Sequence, residues 1–267
     1  MPPEVLAPLR VPGVAGELTL RVHGEGDRHV SRQLLEAGIW EPFETQLVQR
    51  FLKPGDVFVD VGANLGYFTV LAAHCVGPGG RVFAFEPDPA NFALLQDNTR
   101  RNDCAERVTA VQAGLADADG AARLHLSCDN LGDHQLFDVG QGRASVPVTL
   151  LDGGAWLGQR VEGIAMLKVD TQGYEYAVMR GLLPLLQRLP AVPRILIELT
   201  PLSLRQAGHS GRALVELLAG LGQPLWIVDH IEHRLVRSSA AELALWCDNV
   251  DACPGDAGFM NLLVGAD

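Results

Sequence analysis

The sequence predicts an α/β fold: a doubly wound, mostly parallel sheet with an antiparallel terminal strand, an N-terminal extension and a β-hairpin insertion. Short apolar runs alternate with helical stretches from residue 57 onward, as expected of parallel strands joined by helical crossovers. The first run, Val57-Phe-Val-Asp60-Val, enters the glycine turn Gly62-Ala-Asn-Leu-Gly66 and then a helical stretch. The second, Arg81 to Phe85, delivers Glu86 at its carboxyl end, the edge at which open α/β sheets bind ligands.

Residues 1–50 read as an extension packing on a core of 51–267. Glu17 to His23 alternates like a strand, Gly24-Glu-Gly-Asp27 is a turn, and Ser31 is placed to cap a helix through Ala37. Phe43, Leu47, Val48 and Phe51 share one face of a helix from Pro42 to Leu52, which Lys53-Pro-Gly-Asp56 ends. Core strands are expected at 57–61, 81–86, 108–112, 165–170, 194–199 and 224–229, and helices at 67–76, 88–101, 173–188 and 211–221. Residues 121–127 and 144–150 alternate like a hairpin inserted before the fourth core strand. Phe259 to Val264 forms a last strand with no helix leading into it, after the turn at Pro254-Gly-Asp. Entered from a neighbouring hairpin, it lies antiparallel on the sheet.

At 267 residues, 48% apolar and 20% charged, the chain has the composition of a soluble globular protein. A formal charge of −11 argues against a nucleic-acid surface, which needs clustered Lys and Arg. The adjacent pair Arg100-Arg101 is expected to end a helix, where positive charge suits the dipole. Five cysteines without a Cys-x-x-Cys pair read as reduced thiols of a cytoplasmic protein. Cys247 and Cys253 are near enough in sequence to pair or bind metal, but no histidine cluster accompanies them. No apolar run approaches the ~20 residues that span a bilayer. Prolines and an acid stand in Met1 to Arg10, where a signal peptide carries a basic end. A cytoplasmic protein without a membrane partner is expected.

The glycine turn narrows the ligand. Its spacing is Gly-x-x-x-Gly, not the Gly-x-Gly-x-x-Gly that accommodates a pyrophosphate, and Asn64 fills the middle. The Asp60 carboxylate repels a phosphate and attracts an ammonium, while Glu86 is placed to accept hydrogen bonds from both ribose hydroxyls. S-Adenosyl-L-methionine has the ammonium, the ribose and no phosphate. A nicotinamide-dependent dehydrogenase shares the strand–glycine–strand–acid pattern but not the spacing. A non-catalytic nucleoside-binding protein is the other reading, separated by whether a labelled methyl group reaches any acceptor.

Val57-Phe-Val-Asp60-Val-Gly62-Ala-Asn-Leu-Gly66-Tyr-Phe-Thr resembles the first motif of the class I methyltransferases, and more narrowly of the FkbM family. Phe-Ala-Phe-Glu86-Pro-Asp-Pro with Asn91 and Asn98 resembles that family's second motif. Leu167-Lys168-Val-Asp170-Thr-Gln-Gly173-Tyr-Glu175 and Ile195-Leu-Ile-Glu198 resemble its later strand ends. The likeness covers about residues 40 to 230. The family's usual Asp-x-Glu-Gly is here Asp170-Thr-Gln172-Gly173, which removes an acid from position 172. The resemblance implies a class I methyltransferase fold with S-adenosyl-L-methionine as cofactor. It sets Asp60, Gly62, Asn64 and Gly66 beside the methionine part and Glu86 on the ribose. The loop from Gly114 to Asp117 then faces the adenine, although Asp117 reads equally well as a plain turn residue.

Methyl transfer from a sulfonium is an in-line displacement. Positioning supplies ~7–11 kcal/mol of it, whereas one general base supplies roughly 10²–10⁴-fold. Asp170 and Glu198 end the fourth and fifth core strands and are candidate bases; they are also candidates for holding the cofactor's ammonium or, with a third acid, Mg²⁺. No metal is assigned. Lys168 reads as a substrate contact or a salt bridge, and Glu175 as a substrate contact or a first-turn helix acid. Asn130, Asp133 and His134 lie in the insertion and resemble a polar segment of many FkbM-type sequences, which implies a substrate role. The hypothesis is that His134, assisted by Asp170 or Glu198, deprotonates the acceptor.

The resemblance further implies O-methylation of a small molecule or sugar in a natural-product or polysaccharide pathway. N-methylation of a peptide or amide nitrogen is the alternative. The Asp/Asn-Pro-Pro-aromatic signature of enzymes acting on exocyclic base nitrogens is missing, so nucleic acid is not an expected partner. The first 50 residues cover the site, form a homodimer or seal the sheet.

Overall fold

A computed structural model describes residues 4–14, 16–24, 27–127, 130–138, 140, 142–253 and 255–266. Glu25 and Gly26 of the expected first turn, Cys128 in the insertion and Pro254 of the expected last turn lie outside the described residues.

The N-terminal segment forms the antiparallel pair β1 (Val5–Pro8) and β2 (Thr19–Val22), then helices α1 (Val30–Ala37) and α2 (Pro42–Phe51). Ser31 does not cap α1 as expected. Asp27 closes that turn, accepting from Ser31 N–H at 2.8 Å and Ser31 Oγ at 2.7 Å, so Ser31 is a buried donor inside the helix. α2 begins on Pro42, whose missing N–H is harmless in a first turn.

β2 is docked by two asparagines of the core. Asn98 Oδ1 accepts from Arg21 N–H at 2.6 Å, and its Nδ2 donates to Arg21 O at 3.0 Å and Leu65 O at 2.8 Å. Asn102 makes the same pair of bonds to Thr19, both at 3.0 Å. Carboxamides thus satisfy a strand edge that would otherwise stay unpaired.

The core proceeds β3 (Val57–Val61), α3 (Tyr67–Val76), β4 (Arg81–Phe85), α4 (Pro89–Arg101) and β5 (Val108–Val111). The insertion follows as β6 (Gly114–Ala116), β7 (Gly120–His125) and β8 (Ser145–Asp152), a separate small sheet in which β7 and β8 form the expected hairpin. Next come α5 (Gly153–Gly158), β9 (Met166–Val169), α6 (Glu175–Leu186), β10 (Arg194–Leu199), α7 (Pro201–Gln206), α8 (Gly211–Ala219) and β11 (Leu225–Asp229). The chain closes with β12 (Arg234–Ser238), α9 (Ala240–Ala252) and β13 (Met260–Val264).

The central sheet has the order β12-β11-β13-β10-β9-β3-β4-β5. β13 lies antiparallel between β10 and β11, as a terminal antiparallel strand was expected to. Its approach differs from the expectation, because helix α9 leads directly into it. The signal was present: Ser239 and Glu242 form a reciprocal capping box at the start of α9.

Alternation along the strands divides the core. Phe58, Val82, Met166, Leu196 and Leu263 face the N-terminal segment and α3. Val59, Phe83, Leu167, Ile195, Ile197 and Leu262 face the helices on the other side. α3 is buried nearly all round, as befits a helix pressed between sheet and extension. Among the described residues no helix is long and apolar enough to cross a membrane.

Candidate active site

Successive strands add on both sides of β3: β4 and β5 to one side, β9 and β10 to the other. The crevice at such a reversal lies outside the carboxyl ends of the strands. A cavity of about 550 Å³ occupies it. It follows the edge from Glu86 after β4, past Asp60 and the 62–65 turn, to Lys168 of β9 and Asp170 just after it, Glu198 of β10, Phe259 before β13 and His230 after β11. At ~4.8 Å per strand, the six strands from β4 to β11 span roughly 24 Å.

One end suits a nucleoside. Gly62 is at φ +82° and an added Cβ would stand 1.8 Å from Asp170 O, so a side chain is excluded there. Gly66 is left-handed at the start of α3 against Leu95. Asn64, also left-handed at φ 51°, gives its N–H to Glu86 Oε2 at 2.7 Å, and Asp88 N–H meets Glu86 Oε1 at 2.8 Å. Two N–H groups aim the carboxylate and leave each oxygen a further lone pair for a ribose hydroxyl. Burial pushes Glu86 up to about 8. Gly114 and Leu115 line the cavity nearby.

Asp60 is buried in β3, where Oδ2 accepts from Thr69 Oγ1 at 2.6 Å and Oδ1 has no partner among the described residues. Burial raises its pKa against the pull of Lys168. An unpartnered carboxylate oxygen in a cavity wall fits an ammonium, so Asp60 and Glu86 together match the two polar ends of S-adenosylmethionine.

The insertion walls this end with Leu124, Asn130, Gly132, His134 and Leu136. Asn91, besides bonding His23, donates to Leu131 O at 3.1 Å and so pins the insertion to α4. His134 lies in the cavity wall, but its Nδ1 accepts from Ser127 N–H at 3.0 Å. The neutral ring therefore carries its proton on Nε2 and has no lone pair left to take another. Burial lowers its pKa. This geometry does not suit the expected removal of a proton by His134, since the nitrogen left free in the neutral ring carries the hydrogen.

The other end is acidic. Lys168 Nζ lies 2.9 Å from Asp170 Oδ2 and 4.8 Å from the centre of the Phe68 ring. Burial would lower its pKa, but Asp170, Glu41 and Asp60 outweigh burial and hold it above the ordinary value. Gln172 Nε2 donates to Asp170 Oδ1 at 2.7 Å and to Glu198 Oε2 at 3.1 Å. An amide at 172 thus ties together two carboxylates that would otherwise repel. Burial, then Asp170, raises Glu198 well above the usual carboxylate range.

The extension closes this end with Trp40 and Glu41. Glu41 is left-handed at φ 42° directly before Pro42, a conformation that costs on the order of 1–3 kcal/mol and is found where function holds it. Burial pushes its carboxyl up to about 8, and Oε2 has no partner among the described residues. Behind it, buried Glu44 binds His230 Nδ1 at 2.9 Å.

Three expected site residues stand apart. Asp117 pairs with Arg180 beside a shallow depression that also holds Asp152 and Arg188, outside the main cavity. Asp133 turns to Arg143 Nη2 at 3.0 Å and Gln135 Nε2 at 3.1 Å. Glu175 is fully buried and folds back on its own turn, accepting from Thr171 N–H at 2.7 Å and Gly173 N–H at 3.0 Å; it is the first-turn helix acid. Asp60, Gly62, Asn64, Glu86, Asn130, His134, Lys168, Asp170 and Glu198 meet in one cavity. Gly66 shapes it from behind. Glu41, Glu44, Gln172 and His230 were missed, and Pro42 after an acid was the one local signal for them. Among the described residues no three His, Cys, Asp or Glu side chains gather closely enough to hold a metal.

The methyltransferase FkbM domain family matches residues 60–225. A 73-residue stretch is 48% identical to the 31-O-demethyl-FK506 methyltransferase FkbM of Streptomyces tacrolimicus, covering 27% of each chain. A 150-residue stretch is 29% identical to Methyltransferase 1 of Beauveria bassiana, covering 48% of this chain and 59% of that protein. The chain thus spans well under two thirds of the length of these curated relatives. Among solved structures, an O-methyltransferase from Thermotoga maritima aligns with TM-score 0.44 at 13% identity, over 100% of this chain and 94% of that one. Those values carry no argument about chemistry. The family match over the cavity-forming strands does: the chain belongs to the FkbM-domain methyltransferases, and S-adenosylmethionine is its cofactor.

Proposed function

We propose that this protein transfers a methyl group from S-adenosylmethionine to a hydroxyl of a small molecule or sugar, in a natural-product or polysaccharide pathway. One observation carries the reading: a nucleoside end and a carboxylate-lined end share a single cavity of about 550 Å³, a size suited to small ligands. When bound, the cofactor supplies an electrophilic methyl group on a sulfonium. Glu86 would accept hydrogen bonds from the ribose hydroxyls, and Asp60 Oδ1 would meet the ammonium. Asp170 and Glu198, held by Gln172, offer hydrogen-bond acceptors to the hydroxyls of a second ligand and fix its approach, where most of the rate gain lies. The relative named for 31-O-methylation supports an oxygen acceptor. The formal charge of −11 disfavours a nucleic acid.

The test is transfer of a labelled methyl group to a panel of sugars, polyhydroxylated small molecules, peptides and nucleic acids. Label in an ether linkage on a small molecule or sugar supports the proposal. Label confined to a peptide nitrogen or a nucleic acid would overturn it.

A further inference from the structure

Methylating a hydroxyl releases a proton, and each group expected to receive it already accepts a hydrogen bond from another donor. Both Asp170 oxygens accept bonds, from Lys168 and Gln172, and Glu198 Oε2 accepts from Gln172. His134 Nδ1 is occupied by a backbone N–H. His230, in the turn after β11, has the opposite arrangement. Its Nδ1 lies 2.9 Å from Glu44 Oε1. The same oxygen accepts from Asn261 Nδ2, so it serves as an acceptor, Nδ1 carries the hydrogen and Nε2 keeps its lone pair. Nε2 is buried without a partner among the described residues, in a ring that lines the cavity and stacks on Phe259 at 5.9 Å. Glu44 is itself fixed: it is fully buried on α2, and Oε1 also receives Asn261 Nδ2 of β13 at 2.9 Å. A carboxylate that fixes one imidazole nitrogen and leaves the other unpartnered among the described residues, in a ring at the cavity wall, is the arrangement that activates hydroxyls elsewhere.

We propose that His230 Nε2 removes the proton of the acceptor hydroxyl, with Glu44 and Asn261 as positioning residues. The inference rests on the methyl-transfer reading above and names the base within it. The hydroxyl oxygen forms a bond to the methyl carbon as the carbon–sulfur bond breaks and the electron pair stays on sulfur. The hydroxyl proton passes to Nε2, the imidazolium is held by Glu44, and the proton leaves to solvent when product departs. The titratable groups that face the ring are Glu44 and Glu41 from the N-terminal segment and Asp229 at the end of β11. The Glu44 hydrogen bond, opposed by burial, raises its pKa.

Two measurements test this. Nitrogen NMR of the S-adenosylhomocysteine complex should find neutral His230 protonated at Nδ1, titrating above an ordinary histidine and moved lower by Glu44→Gln. A neutral ring protonated at Nε2 would overturn the proposal, and this result needs no acceptor. With an acceptor from the panel, His230→Ala should lose roughly 10²–10⁴-fold in kcat and the ascending limb of the pH profile, while binding S-adenosylhomocysteine within twofold of the parent. Glu44→Gln should shift that limb to lower pH. Retention of more than a tenth of kcat by a cofactor-binding His230→Ala protein would overturn it. If no panel member accepts a methyl group, the reading of the reaction fails, and the tautomer still decides the base.

Discussion

The two ends of the cavity are built by opposite means. The nucleoside end comes mostly from one continuous stretch, and its key acid is met by backbone: Asn64 and Asp88 N–H groups both reach Glu86. The carboxylate-lined end is assembled from Glu41, Lys168, Asp170, Gln172, Glu198 and His230, with Glu44 behind them, and these come from both halves of the chain. There, Glu41 Oε2, Glu44 Oε2 and His230 Nε2 are all buried without partners among the described residues, against Asp60 Oδ1 alone at the nucleoside end. Backbone-held geometry suits a ligand that every turnover shares. Unmatched side-chain atoms at the other end suit completion by a second ligand, which in the proposed reaction is the acceptor.

If backbone contact sets the nucleoside end, Gly62→Ala should have the largest effect, since its Cβ would stand 1.8 Å from Asp170 O. The expected loss is on the order of 3 kcal/mol or more in urea denaturation; an unchanged midpoint would break the contrast. Next, Glu86→Ala removes the two hydrogen bonds proposed to the ribose hydroxyls, worth about 1–1.5 kcal/mol each. Calorimetry should show S-adenosylhomocysteine bound roughly 100-fold more weakly or worse.

Third, the melting temperature of the ligand-free protein should fall by several degrees as pH rises from about 5 to about 8.5. Burial raises Glu41 and Glu86 to about 8, Glu175 to about 7 and Glu198 well above its usual range. The unfolded chain releases those protons near 4–5 while the folded chain keeps them. Their stabilising contribution is therefore full below that range and is lost as pH rises through the folded values. His134, lowered by burial, works in the other direction near 6.5, so a rising melting temperature would mean that the histidines dominate. Fourth, Gln172→Glu replaces the donor to Asp170 and Glu198 with a third acid. It should cost about 1–2 kcal/mol at pH 8 and less at pH 5.5, where a protonated side chain again donates. Smallest, Asp117→Ala breaks only a partly exposed pair with Arg180. It should cost less than ~1 kcal/mol and leave S-adenosylhomocysteine affinity unchanged; weakened binding would draw Asp117 back into the nucleoside end.

Legibility in the sequence follows the same division. The glycine turn and Glu86 could be read because their partners are near in sequence and their chemistry is that of a motif. The parallel strands were visible because they are buried on both faces and so read as apolar runs. β12 escaped because Arg234 to Ser238 is an edge strand carrying two arginines. Glu175 and Asp133 misled because an acid beside a glycine turn looks alike whether it faces a ligand or its own backbone. Glu44 and Asn261 are 217 residues apart and meet at 2.9 Å, a relation no local pattern carries.

The touch between Gly62 and the Asp170 carbonyl has an evolutionary corollary. Because the donor turn and the acceptor turn share one atom-wide joint, with Asp170 N–H also bonded to Val61 O at 3.0 Å, neither loop can drift in length or path without the other. Changes meant to admit a different ligand are therefore best made away from the joint, in the insertion and the N-terminal segment that also wall the cavity.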